Sequence, residues 1–211
     1  MPDWAKQIEE DLAWREAEMA SLKAQIIGSR SGQIRTALLR ASWALLYAHY
    51  EGFCKFAWDL YLDALKSAGW RRRDCQDQIA RLSLHKAFRT FRGNLSPKDI
   101  WDFCQSGFRT LLDEPLTFAT RLETKDNLWP DLFCKNCELT ALPHTMADEY
   151  ATELKVLVGR RNDIAHGQRL EIRNLQEYRK YEEVVQLIMH ELAVGIVDSI
   201  EQEAYLKTPG G

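Results

Sequence analysis

The fold is decided by residues 33–67, which read QIRTALLRASWALLYAHYEGFCKFAWDLYLDALKS. Apolar side chains recur in this stretch at intervals of three and four residues, the spacing of an amphipathic helix with one broad apolar face. At about 1.5 Å per residue, such a helix would be roughly 50 Å long. We therefore expect a long central helix that offers its apolar face to several neighbours.

Three further long helices are predicted around the central one. Residues 4–26 carry a narrow apolar seam at heptad-like spacing, and residues 174–205 carry a broader one. Thr145–Asp148 is a capping signal that opens the third, which ends before Gly167. We find no strand pattern, glycine-rich phosphate loop or internal repeat. The predicted fold is all-α: an up-and-down bundle of four to five long helices with a helical and loop insertion.

We predict a single domain over residues 1–211, with the insertion at about 69–130 and a loose tail at about 206–211. Within and just after the insertion, short helices are predicted at about 78–91, 96–112 and 131–136.

Arg71, Arg72 and Arg73 begin a basic segment in the insertion. Arginine side chains bind RNA phosphates, so this segment is a candidate track for an RNA backbone. A solvated face that only increases solubility explains the same charges equally well. The sequence leaves both interpretations open.

Composition restricts the location and the partners. The net charge of the 211 residues is −3, so a nucleic-acid site must be a local patch. Five cysteines, an odd number, indicate a reducing compartment. Acidic residues at 3 and 9–11 stand where a signal peptide would be apolar, and no stretch approaches the ~18 apolar residues of a membrane span. We therefore expect a cytoplasmic protein without a membrane partner.

One short motif, Arg161–His166 (RNDIAH), carries most of the functional information. Asn162 and His166 lie four residues apart, on one face of a helix. Arg161 continues the apolar stripe of that helix, where a guanidinium is costly unless it is paired or wet. A permanent cation, an amide and an imidazole that titrates near neutrality suit metal-free RNA cleavage. The same residues could instead cap the end of the helix.

The segment Leu157–Gly167, LVGRRNDIAHG, resembles the HEPN superfamily of nucleases, in particular the bacterial HEPN ribonucleases of toxin–antitoxin and anti-phage systems. Arg40–Phe53, RASWALLYAHYEGF, is similar to the long second helix of that group. Thr124–Leu128 is similar to the segment that the group places before its motif helix. The resemblance covers roughly residues 33–66 and 120–205; the first helix and residues 69–116 match nothing that we can place.

The resemblance implies a metal-independent endoribonuclease without a cofactor, working as a homodimer whose two motifs face a shared cleft. RNA is the implied substrate, and an antitoxin or another inhibitor is an implied partner. The implied catalytic positions are Arg161, Asn162, His166 and Glu51, the last of them holding Arg161 in place. The arginines predicted to bind RNA are Arg160, Arg169, Arg71, Arg72 and Arg73.

Two alternatives stay open. The rival function is a non-catalytic helical module that binds RNA or nucleotide, or a scaffold that only assembles a complex. Cys134, Cys137 and His144 form half of a zinc pattern, but a second cysteine pair is missing and thiols also serve as small apolar side chains. We therefore predict no metal site.

Overall fold

The computed structural model describes residues 3–91, 95–124, 127–169, 172 and 174–208. Within these ranges the chain is mainly helical, with no β-strand and only two isolated β-bridges. The prediction of an all-α fold is confirmed. In the same residues, no helix combines the length and the hydropathy that crossing a membrane requires.

The α-helices of the described residues follow one another in this order: α1 (Trp4–Gly28), α2 (Gly32–Ala68), α3 (Asp77–Ser83), α4 (His85–Phe91), α5 (Pro97–Asp102), α6 (Phe108–Asp113), α7 (Pro130–Thr140), α8 (Thr145–Glu149), α9 (Ala151–Ala165) and α10 (Leu175–Glu201). A 3₁₀ turn at Arg72–Asp74 precedes α3, and a π-helical turn at Phe103–Gly107 joins α5 to α6.

The central helix is α2, and α1, α9 and α10 pack against it. Its buried face is rich in aromatic side chains, because a large apolar ring gains most from leaving water. Truncating one such residue to alanine typically costs about 3–5 kcal/mol of unfolding free energy. The rings that are at most 1% exposed are those of Trp43, Tyr47, Tyr50, Phe53, Trp58 and Tyr61. This packing fixes the side chains that α2 contributes to the site.

Local signals define both ends of α2. The Ser31 hydroxyl accepts a hydrogen bond from the Ile34 N–H at 3.4 Å and so caps the first turn. Gly69 ends the helix at φ +74°, a left-handed conformation that costs glycine little.

Three predicted helices have different limits in the structure. The one expected from Thr145 onward divides at Tyr150 into α8 and α9, which buries Ala147 in the first piece and Leu154 in the second. The one expected at 78–91 divides at Leu84, whose N–H closes a turn on Ala80 and Arg81. The one expected at 131–136 extends over Pro130–Thr140, because Pro130 occupies the first turn, where its missing N–H is not needed.

The segment α4–α6 contrasts with the bundle, since none of these three helices has a fully buried residue. Trp101 on α5 is 65% exposed. The boundaries of the insertion remain a prediction.

The prediction of a loose tail from residue 206 is wrong for its first two residues. Leu206 forms an isolated bridge with Cys75, and the Lys207 N–H donates to the Asp74 carbonyl at 2.9 Å. The Lys207 ammonium also lies 3.1 Å from an Asp77 oxygen. These contacts tie the chain end to the start of α3. Residues 209–211 lie outside the described residues.

Candidate active site

Arg161 projects from α9 into a pocket made by α2 and the segment before α7. Its guanidinium carbon lies 4.7 Å from the centre of the Tyr47 ring. Its Nη1 donates hydrogen bonds to the side-chain oxygens of Asn127 and Asn162, each at 2.9 Å. These groups are neutral, and no carboxylate of the described residues forms an ion pair with Arg161. The cation on the apolar stripe is therefore held by a π face and two amides, while the Glu51 carboxylate acts on it electrostatically from beyond ion-pair distance.

The opposite edge of the same guanidinium remains available. Neither Nη2 nor Nε of Arg161 hydrogen-bonds to a residue that the structure describes. A guanidinium presents its donors in a planar fork that matches two phosphate oxygens. The pocket thus orients Arg161 through one edge and leaves the other for an anion.

Tyr47 connects Arg161 to Glu51. Its hydroxyl accepts from the Leu128 N–H at 2.8 Å, and the Glu51 carboxylate lies close enough to act on it electrostatically. Burial raises the pKa of Tyr47 to about 12. Burial also raises the pKa of Glu51, while the Tyr47 hydroxyl and the Arg161 charge oppose that rise. Glu51 therefore lies close enough to the site to act electrostatically on Tyr47 and Arg161.

Tyr47 and Asn127 are site residues that the sequence did not single out. Tyr47 stands one helical turn before Glu51, so the acidic position on α2 carries the only signal for it. Asn127 lies in the segment Thr124–Leu128, for which only the resemblance suggests a role near the motif. Lys125 and Asp126 of this segment lie outside the described residues.

His166 is the last residue of the motif and the C-cap of α9. Its N–H donates to the Asn162 carbonyl at 2.9 Å, and its side chain is exposed. Gly167, at φ +75°, reverses the chain, with its own N–H on the Ile164 carbonyl and the Gln168 N–H on that of Asp163. This Schellman turn ends the helix and holds the His166 backbone at its rim. The structure thus brings Arg161 and Asn162 into contact and places His166 one turn further on.

Arg160, predicted to bind RNA, points toward α10 and the earlier part of α2. Its Nη1 pairs with a Glu177 oxygen at 2.7 Å, and its guanidinium lies 4.7 Å over the Trp43 ring. The Trp43 indole N–H donates to the Leu157 carbonyl at 3.2 Å. Arg160 therefore links α2, α9 and α10 with its charge already matched. Its role in RNA binding stays a prediction.

The loop after the motif is tied back to α2. Arg40 donates from Nη2 to the Gln168 carbonyl at 2.8 Å. Arg169 follows Gln168 and is exposed, and its role in RNA binding stays a prediction. Arg40 begins the α2 segment, residues 40–53, that carries the resemblance. Its hydrogen bond joins this segment to the loop that follows the motif.

The three arginines at 71–73 do not form one patch. Arg72 is only 4% exposed, and four of the five N–H donors of its guanidinium bond to oxygen atoms of the fold, so the prediction that it binds RNA is wrong. These partners, at 2.7–2.9 Å, belong to Ser83, Leu111, Glu114 and Thr117. Arg71 and Arg73 are exposed, and Arg73 pairs with Asp113. The 3₁₀ turn directs the middle arginine inward and leaves its neighbours in solvent.

A groove of about 540 Å³ lies beside these residues, between α3 and the α6 end of the insertion. Basic side chains of Arg73, Arg81 and Lys207 line it together with the rings of Phe88 and Phe108. Asp77 and Asp113 pair with two of these cations, which reduces the net positive charge of the groove.

Residues that could ligate a metal gather elsewhere. Among the described residues, the one group of three such side chains with converging ligand atoms is Cys134, His144 and Asp148, between α7 and α8. Cys137, which the sequence suggested as a fourth partner, is fully buried in the core.

A long central helix, helices packed around it and the Arg161–His166 motif at the end of a late helix are the features of a HEPN-type domain. The family model HEPN_MAE_28990-like HEPN matches residues 4–205, so the chain belongs to this family. The match includes α1 and the segment α3–α6, for which the motifs offered no resemblance. No curated protein and no solved structure matches the chain.

Proposed function

We propose that this HEPN domain is a metal-independent endoribonuclease in which Arg161 and His166 carry out the chemistry. The observation that carries the proposal is the placement of Arg161, a cation fixed by Tyr47, Asn127 and Asn162 with one donor edge free of described partners. The exposed imidazole of His166 one turn further along α9 supports it, because RNA needs only a proton acceptor, a proton donor and charge stabilisation.

The proposed reaction uses the nucleophile that RNA itself carries. A base removes the proton of the 2′-hydroxyl, the 2′-oxygen bonds to phosphorus, and the bond from phosphorus to the 5′-oxygen breaks. An acid delivers a proton to the leaving 5′-oxygen. The products are a 2′,3′-cyclic phosphate and a 5′-hydroxyl. Arg161 stabilises the charge on the non-bridging oxygens, which grows in the transition state.

One imidazole per chain cannot be base and acid at the same moment. A homodimer with two motifs at one cleft would supply the second His166, one as base and the other as acid. Asn162 would position the phosphate or the imidazole, and Glu51 would act through Tyr47 as a positioning residue. Arg169, and with it Arg71 and Arg73, would contact the RNA backbone.

The biological setting belongs to the same proposal. An endoribonuclease of this kind would act in the cytoplasm as a toxin or defence effector, restrained by an antitoxin or another inhibitor. Family membership supports a nuclease-type domain, and the open guanidinium edge supports an anionic substrate.

One observation favours the rival function, a non-catalytic RNA- or nucleotide-binding module. No described residue hydrogen-bonds to the His166 ring, whereas Arg161 is held firmly. Such a site grips a phosphate but does not orient a base. Both functions predict that Arg161 binds phosphate, and they differ in whether the RNA is cut.

The deciding experiment compares wild type, Arg161→Ala and His166→Ala, with His190→Ala as a matched control for an exposed histidine on α10. Cleavage of total RNA is measured in EDTA, the ends of the products are identified, and colony survival is scored after induction. We expect cyclic-phosphate ends and cell death with wild type and the control only. RNA binding is measured alongside, and binding without cleavage in wild type, His166→Ala and His190→Ala, weakened in Arg161→Ala, would establish the rival function.

A further inference from the structure

Three side chains of different chemistry converge where α8 folds back on α7. The Cys134 sulfur lies 3.4 Å from Oδ1 of Asp148, and Nδ1 of His144 lies 2.7 Å from Oδ2 of the same carboxylate. One potential ligand atom from each residue lies within 4.8 Å of the other two. A thiol, an imidazole and a carboxylate thus lie close enough together to bind one metal ion.

The local fold brings these residues together. α7 ends at Ala141, which takes a left-handed conformation at φ +55°, and the Leu142 N–H closes the turn on the Cys137 carbonyl at 2.9 Å. The chain then reverses, and His144 stands at the N-cap of α8. Because His144 and Asp148 are four residues apart, the helical turn places both on the face toward α7.

We propose that Cys134, His144 and Asp148 form a zinc site. In a tetrahedral site with Zn–S near ~2.3 Å and Zn–N and Zn–O near ~2.0 Å, ligand atoms are roughly 3.3–3.5 Å apart. The Cys134 sulfur lies 3.4 Å from one Asp148 oxygen, and His144 Nδ1 lies 2.7 Å from the other oxygen. A small rotation of the carboxylate that opens the shorter contact by about 0.6 Å would bring the three residues to separations of this size.

The surroundings favour a cation of this type. The carboxylates of Asp131 and Glu138 lie close enough to act electrostatically on the Cys134 thiol, so the neighbourhood is acidic. A sulfur and an imidazole nitrogen select Zn²⁺ over Mg²⁺ or Ca²⁺, which prefer oxygen ligands. With three protein ligands, the fourth position would be left to water.

The zinc site is separate from the proposed active site. It adjoins Tyr150, which precedes α9, whereas His166 follows the last residue of that helix. The 15 residues of α9 place these two ends about 22 Å apart. The ion would hold α8 on α7 and so fix the beginning of the motif helix. Its presence does not depend on whether the domain cuts RNA.

The test is a titration of the metal-free protein with Co²⁺, which reports a thiolate ligand through a sulfur-to-cobalt charge-transfer band. We expect one equivalent of Co²⁺ per chain, displaced by Zn²⁺, and a melting temperature raised by about 5 °C in excess Zn²⁺ but not in Mg²⁺. Cys134→Ser is expected to lose the band, and Asp148→Asn to weaken Co²⁺ binding at least tenfold.

Cys104→Ser is the matched control, because Cys104 is an exposed free thiol away from this cluster, on the π-helical turn. It is expected to keep the band and the thermal shift. A charge-transfer band that is absent from wild type, or retained in Cys134→Ser, would overturn the proposal. If Cys134→Ser does not fold, Asp148→Asn decides, since Asp148 is exposed, and unchanged Co²⁺ affinity in that variant overturns it.

Discussion

Arg72 and Arg161 are both withdrawn from solvent, but their surroundings differ in kind. Four of the five N–H donors of Arg72 bond to oxygen atoms, one of them in the Glu114 carboxylate, so its charge is matched within the fold. Arg161 rests on an aromatic ring and two neutral amides, and one edge of its guanidinium has no described partner. The first environment balances the charge of Arg72 within the fold, whereas the second orients Arg161 and leaves one edge of its guanidinium without a described partner. Partner chemistry, more than burial, therefore separates a structural cation from a candidate ligand-binding one.

The largest expected effect concerns Arg161, whose guanidinium has one edge without a described partner. Arg161→Ala should lower the rate of RNA cleavage by about 10²–10³-fold, because a donor to the developing phosphate charge is lost. Arg161→Lys should remain well below wild type, since an ammonium cannot form the two-pronged contact. Initial rates on a defined RNA in EDTA measure both. Wild-type rates in Arg161→Ala would place Arg161 with Arg72 among the structural arginines.

The reciprocal change tests Arg72, whose guanidinium is hydrogen-bonded within the fold. Arg72→Ala removes four hydrogen bonds in and around the 3₁₀ turn and should cost about 3 kcal/mol of unfolding free energy, which lowers the melting temperature by about 10 °C. Arg73→Ala, whose ion pair with Asp113 is solvent-exposed, should cost less than ~1 kcal/mol. Calorimetry compares the two. Equal melting temperatures would contradict the contrast drawn between them.

A smaller effect is expected at the ring beneath Arg161. Tyr47→Phe keeps the π face but leaves the buried Leu128 N–H without its acceptor, so the unfolding free energy should fall by about 1–3 kcal/mol. Tyr50→Phe is the control, because the Tyr50 hydroxyl is buried and hydrogen-bonds to no described residue. The unfolding free energy of the Tyr50→Phe variant should stay close to that of wild type. Urea unfolding of the two variants measures the difference.

The smallest effect is a pH dependence at Glu51. Its pKa is raised in the folded state by burial, so between the unfolded value near 4.5 and the raised value the folded state binds more protons. The contribution of Glu51 to stability therefore falls as pH rises through that window. Glu51→Gln, which keeps the shape of the side chain without its charge, should be slightly more stable than wild type at pH 7 and nearly equal at pH 4. A variant that is less stable at pH 7 would show that Glu51 stabilises Arg161 as an anion.

The long helices were predictable because they depend on periodic apolar spacing. For the same reason, the two segments that form the candidate site, one on α2 and one on α9, could be located. The apolar spacing predicted α2, and the same spacing placed Arg161 on a buried stripe, which indicated that it needed partners. The identity of those partners was not predictable, because Asn127 comes from a loop and Tyr47 from the face that the periodicity assigns to the core. Nothing in the run of three arginines indicates that the 3₁₀ turn buries only the middle one, Arg72.

The arrangement along α2 has a consequence for how this family can change. Arg40, Trp43, Tyr47 and Glu51 follow one another at intervals of three and four residues, and each contacts the motif helix, its following loop or a neighbour of Arg161. A single residue inserted between Trp43 and Tyr47 would rotate the later half of the helix by about 100°. Tyr47 and Glu51 would then leave the site while every residue type was retained. We expect related sequences to tolerate substitutions at the exposed positions of this part of α2 but no change in its length.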